Sequence, residues 1–166
     1  MGPGLRMTRS RPMLARILSY GWALPNTLLG FFFLPLVLVF GGTARRVGGV
    51  LEVQGRGIAW LLRRLVPLRG GASAITLGHV VLGRSVSELE RSRAHEQVHV
   101  RQSERWGPLF IPAYLIAGLV ALVKGGSPYY DNPFERQARA ASRSDYRKSS
   151  SRVESHTIQA TTGHKP

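Results

Sequence analysis

His95 and His99 stand four positions apart, with Glu96 directly after the first, in the run His-Glu-Gln-Val-His. On a helix, residues i and i+4 share one face, so both imidazoles can bind the same metal ion. Glu96 lies beside that face, where its carboxylate can accept a proton from a metal-bound water. The pattern predicts metal-assisted hydrolysis. The alternative is a solvated surface helix, which several neighbouring residues also suit: Arg91, Arg93, Arg101, Gln102 and Glu104.

A catalytic zinc site needs a third protein ligand and one open position for water. The acidic residues downstream of the motif are Glu104, Asp131, Glu135, Asp145 and Glu154. Glu135 is the best placed, because Asn132 and Pro133 predict the start of a separate helix just before it. A glutamate at this position also commonly caps a helix by accepting the backbone N–H of the N-cap residue. Both roles, ligand and cap, stay open for Glu135.

The pattern His95-Glu96-x-x-His99 followed by Glu135-x-x-Ala138 resembles the gluzincin zinc metallopeptidases, in particular their minimal single-domain members. The resemblance covers about residues 73–141. It implies that His95, His99 and Glu135 bind Zn²⁺ and that Glu96 is the general base in the hydrolysis of a peptide or protein substrate. It also implies that a strand ahead of the motif helix receives the peptide in extended form, and that Ala138 lets two helices pack closely.

Two features depart from that family. Arg139 stands where the family has an aspartate, which removes an expected hydrogen-bond partner for a zinc-bound histidine. No downstream histidine has an obvious place as transition-state stabiliser. Tyr129 and Tyr130 are the candidates for that hydrogen bond, and the alternative is that they are packing residues or anchors at a membrane interface.

The elements that must position these residues predict a small α+β domain, and the resemblance implies that this domain is zincin-like. We predict a strand at 50–53, a helix at 57–65, a second strand at 74–82 and the motif helix at 88–106. Ser87 and Glu90 have the spacing of a capping box at the start of the motif helix, and Gly107-Pro108 ends it.

Two uncharged stretches indicate attachment to a membrane. Residues 17–44 carry no charge and predict a retained transmembrane segment, either a kinked helix or a re-entrant hairpin. Residues 107–123 form a second stretch, and they lie between the histidines and Glu135. Since three ligands of one ion must lie on the same side of the bilayer, the zinc hypothesis predicts that 107–123 is a buried or membrane-dipping helix.

The predicted organisation is a basic arm at 1–16, the membrane segment at 17–44, the zincin-like domain at 45–141 and a disordered basic tail at 142–166. The tail contains His156 and His164, which we predict to be solvated. His79, in the second predicted strand, is interpreted as a packed or exposed strand residue rather than a ligand. We expect the protein in a membrane, such as a bacterial inner or plasma membrane, with the side of the site undetermined.

Composition narrows the class of protein further. The absence of cysteine excludes disulfides, thiolate metal sites and a cysteine nucleophile. Lys and Arg number 23 against 9 acidic residues, a net charge of +14 that suits contact with an anionic bilayer. We predict no nucleic-acid partner, because no nucleic-acid module accompanies the charge. The alternative function is a non-catalytic membrane protein with two apolar segments and a lipid-binding surface; the oligomeric state stays open.

Overall fold

The computed structural model of the chain describes residues 13–64, 66, 71–144 and 146, which form an α+β domain around one mixed sheet. The strands are β1 (Gly42–Val47), β2 (Val50–Gly55), β3 (Ala74–Leu77) and β4 (Val80–Gly83). They lie in the order β1-β2-β4-β3, with β2 and β4 parallel and the other neighbouring pairs antiparallel. These elements confirm the predicted α+β class. In the sheet, β3 lies at an edge.

Helices cover both faces of the sheet. Their bounds are α1 (Met13–Trp22), α2 (Leu24–Phe31), α3 (Leu34–Phe40), α4 (Arg56–Arg64), α5 (Val86–Trp106) and α6 (Phe110–Val123), with α7 at residues 133–144. On one face, α3 and α4 cover a buried cluster made of Val53, Ile58, Leu62, Val80 and Leu82. On the other face, α5 covers a second cluster made of Val50, Val81, Leu89 and Val100. The sheet therefore presents β3 to the helix that carries both histidines.

The prediction of a single strand at 74–82 is wrong. The segment is a hairpin, in which β3 and β4 are joined by a two-residue turn at Gly78 and His79. Gly78 has a φ of +62°, a left-handed conformation that glycine adopts without steric cost. The Thr27 hydroxyl accepts the backbone N–H of His79 and so ties this turn to α2. The predicted strand at 50–53 and helix at 57–65 are confirmed to within two residues, except Leu65, which lies outside the described residues.

The motif helix begins slightly earlier than predicted. Ser85 rather than Ser87 is the N-cap, and its hydroxyl accepts the backbone N–H of Glu88 at 3.3 Å. Glu90 contacts Arg45 across the surface instead of closing a capping box. Ser85 takes the N-cap position because its backbone has the extended conformation that an N-cap residue adopts.

The chain turns sharply at the end of α5. Gly107 has a φ of +56° and is followed by one 3₁₀ turn before α6 begins. In a straight helix His99 and Tyr114 would be about 22 Å apart along the axis, yet their ring centroids lie 6.0 Å apart. The helix α6 therefore folds back beside the metal-motif histidines, and the following turn returns the chain to α7.

The uncharged N-terminal stretch is broken into three short helices, and its last residues, 42–44, belong to β1. The bend between Met13–Trp22 and Leu24–Val37 is 59°. Asn26 is buried and donates hydrogen bonds to the Ser103 hydroxyl and to the carbonyl of Gly107. These contacts join α2 to the corner between α5 and α6, so this part of the stretch packs within the domain.

Among the described residues, the run Val86–Val123 is long and apolar enough to cross a membrane by length and composition, although it turns at Gly107 between α5 and α6. The bent N-terminal pair would make a second such run if it is one span. Only 22% of the most apolar part of Val86–Val123 is buried, so the outer side chains of α6 are largely exposed.

At the C-terminal end, α7 continues through residues 142–144, which the sequence analysis predicts to be part of the tail. Residues 147–166, with His156 and His164, lie outside the described residues.

A buried ion-pair cluster fastens α5 to the sheet and provides a stability test. Glu52 on β2 is 4% exposed and accepts hydrogen bonds from Arg93 at 2.7 Å and 3.1 Å and from Arg45 at 3.0 Å. Hydrogen bonds from Arg93 outweigh burial and lower the pKa of Glu52. Its stabilising effect is therefore full above the ordinary pKa of 4.5 and is lost as the pH falls through the lowered value.

We expect Glu52→Gln to lower the free energy of unfolding by about 2 kcal/mol at pH 7, because two arginines lose their buried counter-charge while keeping some contact with solvent. The matched control is Glu90→Gln, which removes an exposed partner of Arg45 and should cost under about 0.5 kcal/mol. Chemical denaturation followed by circular dichroism measures both. Equal stability of the two variants would contradict a structural role for the cluster.

Candidate metal centre

Three side chains from α5 and α7 converge at the corner between the helices. His95 Nε2 lies 3.1 Å from His99 Nε2 and 3.2 Å from Glu135 Oε2, and His99 Nε2 lies 3.2 Å from Glu135 Oε1. Four ligands about 2.0–2.1 Å from a tetrahedral zinc ion have edges of about 3.3 Å. The three distances match those edges, so the group is spaced to hold one metal ion.

The chemistry of these donors also fits a cation. Glu135 Oε2 is buried and makes no hydrogen bond in the described structure. Burial opposes ionisation of Glu135, but the His95 and His99 imidazoles outweigh it and hold the pKa well below its usual range. A buried carboxylate therefore faces two imidazole nitrogens, and two nitrogens with one oxygen form a donor set that zinc accepts.

The N-cap contacts of α7 leave the Glu135 carboxylate directed towards the histidines. Asn132 is fully buried, and its side-chain oxygen accepts the backbone N–H of Phe134 at 3.0 Å. Its amide group donates to the carbonyl of Tyr114 on α6. Asn132 thus caps α7 and fixes it against α6, while Glu135 accepts a hydrogen bond from the Tyr114 hydroxyl at 2.8 Å.

Glu96 is buried beside the histidines and is held by the edge strand. The Thr76 hydroxyl on β3 donates to Glu96 Oε2 at 2.7 Å. Burial raises the pKa of Glu96, against the opposing charge of His99 and the Thr76 hydrogen bond. A carboxylate with a raised pKa is a stronger base than an ordinary one, which suits a group that accepts and then releases a proton.

Gln102 supplies the histidine partner that Arg139 cannot provide. Gln102 Oε1 lies 2.8 Å from His99 Nδ1, while its amide nitrogen donates to the Phe134 carbonyl and to Gln137 Oε1. Because the amide hydrogens are engaged elsewhere, the oxygen accepts the Nδ1 proton of His99. This leaves the His99 Nε2 lone pair directed at the metal group.

We expect Gln102→Ala to weaken zinc binding by about 10–100-fold, because His99 loses the acceptor that fixes its tautomer and ring orientation. Competition with a zinc-sensitive chelating dye measures the dissociation constant. Gln102→Glu keeps an acceptor for His99 and should retain most of the affinity. Arg101→Ala, an exposed neighbour on the same helix, is the control. An unchanged dissociation constant in Gln102→Ala would refute this role.

The two predicted tyrosines take different positions. Burial and the neighbouring Glu135 raise the pKa of the half-buried Tyr129 to about 12. Tyr130 is 67% exposed, and its backbone carbonyl accepts a hydrogen bond from Arg139. The Arg139 guanidinium lies over both rings, with Nη1 3.6 Å from Glu135 Oε2. The structure therefore places Tyr129, rather than Tyr130, next to the carboxylate of the metal group.

Tyr114 and Gln102 were not among the candidates from the sequence, although both touch the metal group. Gln102 stands one turn after His99, so its spacing offered a signal. Tyr114 lies in an apolar helix and comes near the metal group only because the chain turns at Gly107.

Ala138 is fully buried, in keeping with a packing role. His79 lies apart from the metal group, with Nε2 3.3 Å from Glu104 and its ring stacked on Tyr20.

Comparisons with protein-family models, with curated proteins and with solved structures find no match to this chain.

Proposed function

We propose that the chain is a membrane-attached zinc-dependent peptidase. The observation that carries the proposal is the convergence of His95, His99 and Glu135, at the spacing of tetrahedral zinc ligands, beside the buried carboxylate of Glu96. Two histidines, a glutamate and an adjacent glutamate base are the parts that peptide hydrolysis by a gluzincin uses. The resemblance read from the sequence and the geometry therefore support the same chemistry.

Each side chain has a distinct part in the proposed reaction. His95, His99 and Glu135 hold zinc, which when bound supplies Lewis acidity towards a carbonyl oxygen and a water of lowered pKa. Glu96 accepts the proton of the attacking water and delivers it to the leaving amine as the peptide bond breaks. The Thr76 hydroxyl keeps the Glu96 carboxylate in one orientation through this exchange.

The edge strand β3 offers backbone groups for an extended substrate. Leu77 and Val80 flank the two-residue turn, so they form a hydrogen-bonded pair, and the pairs alternate along the hairpin. Ala74 and Thr76 therefore direct their backbone N–H and C=O groups away from β4. A peptide that adds to this edge runs alongside the helix bearing Glu96.

An exposed apolar surface supports the membrane attachment. It is formed by side chains of α1, α2 and α6: Leu14, Ile17, Leu18, Leu28, Leu29, Phe32, Leu115, Ile116, Leu119 and Val120. The two parts of this surface meet where the Trp22 indole packs against Gly107. Tyr114, which bonds Glu135, directly precedes Leu115, so the metal group lies close to the apolar surface. Insertion into one leaflet would bury these side chains and leave all three ligands on the same side.

The second candidate function is a non-catalytic membrane protein that binds anionic lipid, and the same apolar surface together with the +14 charge favours it. The proposals differ in whether zinc binds and peptides are cut. We expect the purified full chain, in detergent with zinc, to cleave unfolded casein and to lose this activity with a zinc chelator. Absence of cleavage together with absence of zinc would favour the second function.

A further inference from the structure

A groove of about 440 Å³ lies between the N-terminal helices and the β1–β2 hairpin, and His79 is part of its lining. One wall is a stripe along α1 and α2 formed by Tyr20, Leu24, Thr27 and Phe31. The opposite wall is formed by Gly49 and Leu51. The volume falls within the range of about 300–1,000 Å³ that small-molecule sites occupy.

The polar groups of this groove are already engaged within the protein. The Tyr20 hydroxyl donates to the Gly49 carbonyl, and the Tyr20 ring stacks on His79 at 3.9 Å. Thr27 Oγ1 donates to the Ala23 carbonyl and accepts the backbone N–H of His79. His79 Nε2 contacts Glu104. What the groove offers to a ligand is therefore chiefly apolar surface from Leu24, Phe31 and Leu51.

Arg46 on β1 is the exception, because it lines the groove and makes no hydrogen bond or ion pair with the part of the chain that the structure describes. Its neighbour Arg45 points to the other face of the sheet, where it pairs with Glu52. The exposed guanidinium of Arg46 thus stands at an apolar groove with its donors available, an arrangement that suits a phosphate group.

The groove is continuous with the apolar surface of the protein. Leu24 and Phe31 line the groove and are themselves 47% and 41% exposed, and Leu28 and Phe32 beside them belong to the apolar surface. We propose that the groove binds one acyl chain of an anionic phospholipid of the bilayer, with the phosphate of that lipid held by Arg46. Such a ligand matches the apolar walls, the single free cation of the groove within the described structure, and the net charge of +14.

The test uses the full chain in phosphatidylcholine vesicles that contain phosphatidylglycerol with a photoreactive diazirine on its acyl chain. After illumination, mass spectrometry locates the adducts. We expect adducts on Leu24, Phe31 and Leu51 inside the groove. Adducts confined to outward side chains such as Leu28 and Phe32 would overturn the proposal, since contact with bulk lipid alone produces that result.

Gly21→Trp fills the groove, because Gly21 lines it and a Cβ at this position meets no atom within 4 Å. The variant should lower labelling inside the groove by about tenfold, as the acyl chain loses its apolar contacts. Leu28→Trp adds the same ring outside the groove and should leave that labelling unchanged. Undiminished groove labelling in Gly21→Trp would overturn the proposal, whatever the outcome of any hydrolysis assay.

The head group is tested separately. Arg46→Gln should lower groove labelling by phosphatidylglycerol several-fold and labelling by diazirine-labelled phosphatidylcholine by less. Both lipids lose the phosphate contact, and phosphatidylglycerol also loses the attraction of its net negative charge to the guanidinium. Arg56→Gln removes the same charge from an exposed position outside the groove and is the control. Equal loss in both variants would show general attraction to the membrane and contradict a phosphate contact at Arg46.

Discussion

Glu96→Gln is expected to lower the rate constant for peptide hydrolysis by about 10³–10⁴-fold while the protein keeps its zinc. Glutamine has the shape of glutamate and can still accept the Thr76 hydrogen bond, so the local packing is retained. It cannot accept a proton from water. The loss should therefore appear in kcat, with little change in KM or in metal content.

Casein cleavage, measured alongside the zinc content of the same preparations, separates this role from a structural one. Glu90→Gln is the matched control, because Glu90 is an exposed carboxylate on the same helix that pairs with Arg45 rather than with the metal group. It should cleave at the wild-type rate. A Glu96→Gln protein that retains more than about a tenth of the wild-type rate would refute the general-base role.

Glu135→Gln is expected to weaken zinc binding by about 10³-fold or more, the second large effect. The substitution removes the only anionic ligand of the group while keeping the volume of the side chain, and it leaves the Arg139 guanidinium beside two histidines. Dialysis followed by elemental mass spectrometry measures the zinc that remains. Glu135→Asp keeps the charge on a shorter side chain, and its zinc affinity should lie between those of the wild type and of Glu135→Gln.

Circular dichroism of each variant shows whether a loss of zinc binding is caused by a loss of the fold. A folded Glu135→Gln protein that keeps wild-type zinc affinity would show that Glu135 serves only as a contact of Tyr114 and Arg139. Such a result would leave His95 and His99 with a different third ligand.

Local spacing made part of the site predictable from the sequence. The pairing of His95 and His99 follows from helical periodicity alone, and Asn132 and Pro133 located the helix that carries Glu135. Gln102 and Tyr114 were missed because their contacts depend on how α5, α6 and α7 cross. The positive φ at Gly107 decides that crossing, and no pattern of residue types gives the direction in which α6 leaves the turn.

Hydrophobicity alone did not show how two segments fold. The uncharged run at 17–44 contains Asn26 and Thr27, and both are buried against other elements of the domain. These polar contacts tie α2 to the domain, and the breaks in the run come just before Pro25 and Pro35, which stand in the first turns of α2 and α3. In the same way, the β-rich residues 74–82 include Gly78, whose left-handed conformation turns one expected strand into a hairpin.

The zinc content of the purified full chain is the decisive measurement for the proposed metal centre. We expect about one zinc ion per chain, retained through dialysis, removed by a strong chelator and restored by added zinc. We also expect that His95→Ala and His99→Ala, prepared in parallel and shown to be folded, bind no zinc. A folded wild-type protein that takes up no stoichiometric zinc would contradict the proposed metal centre and the hydrolysis that depends on it.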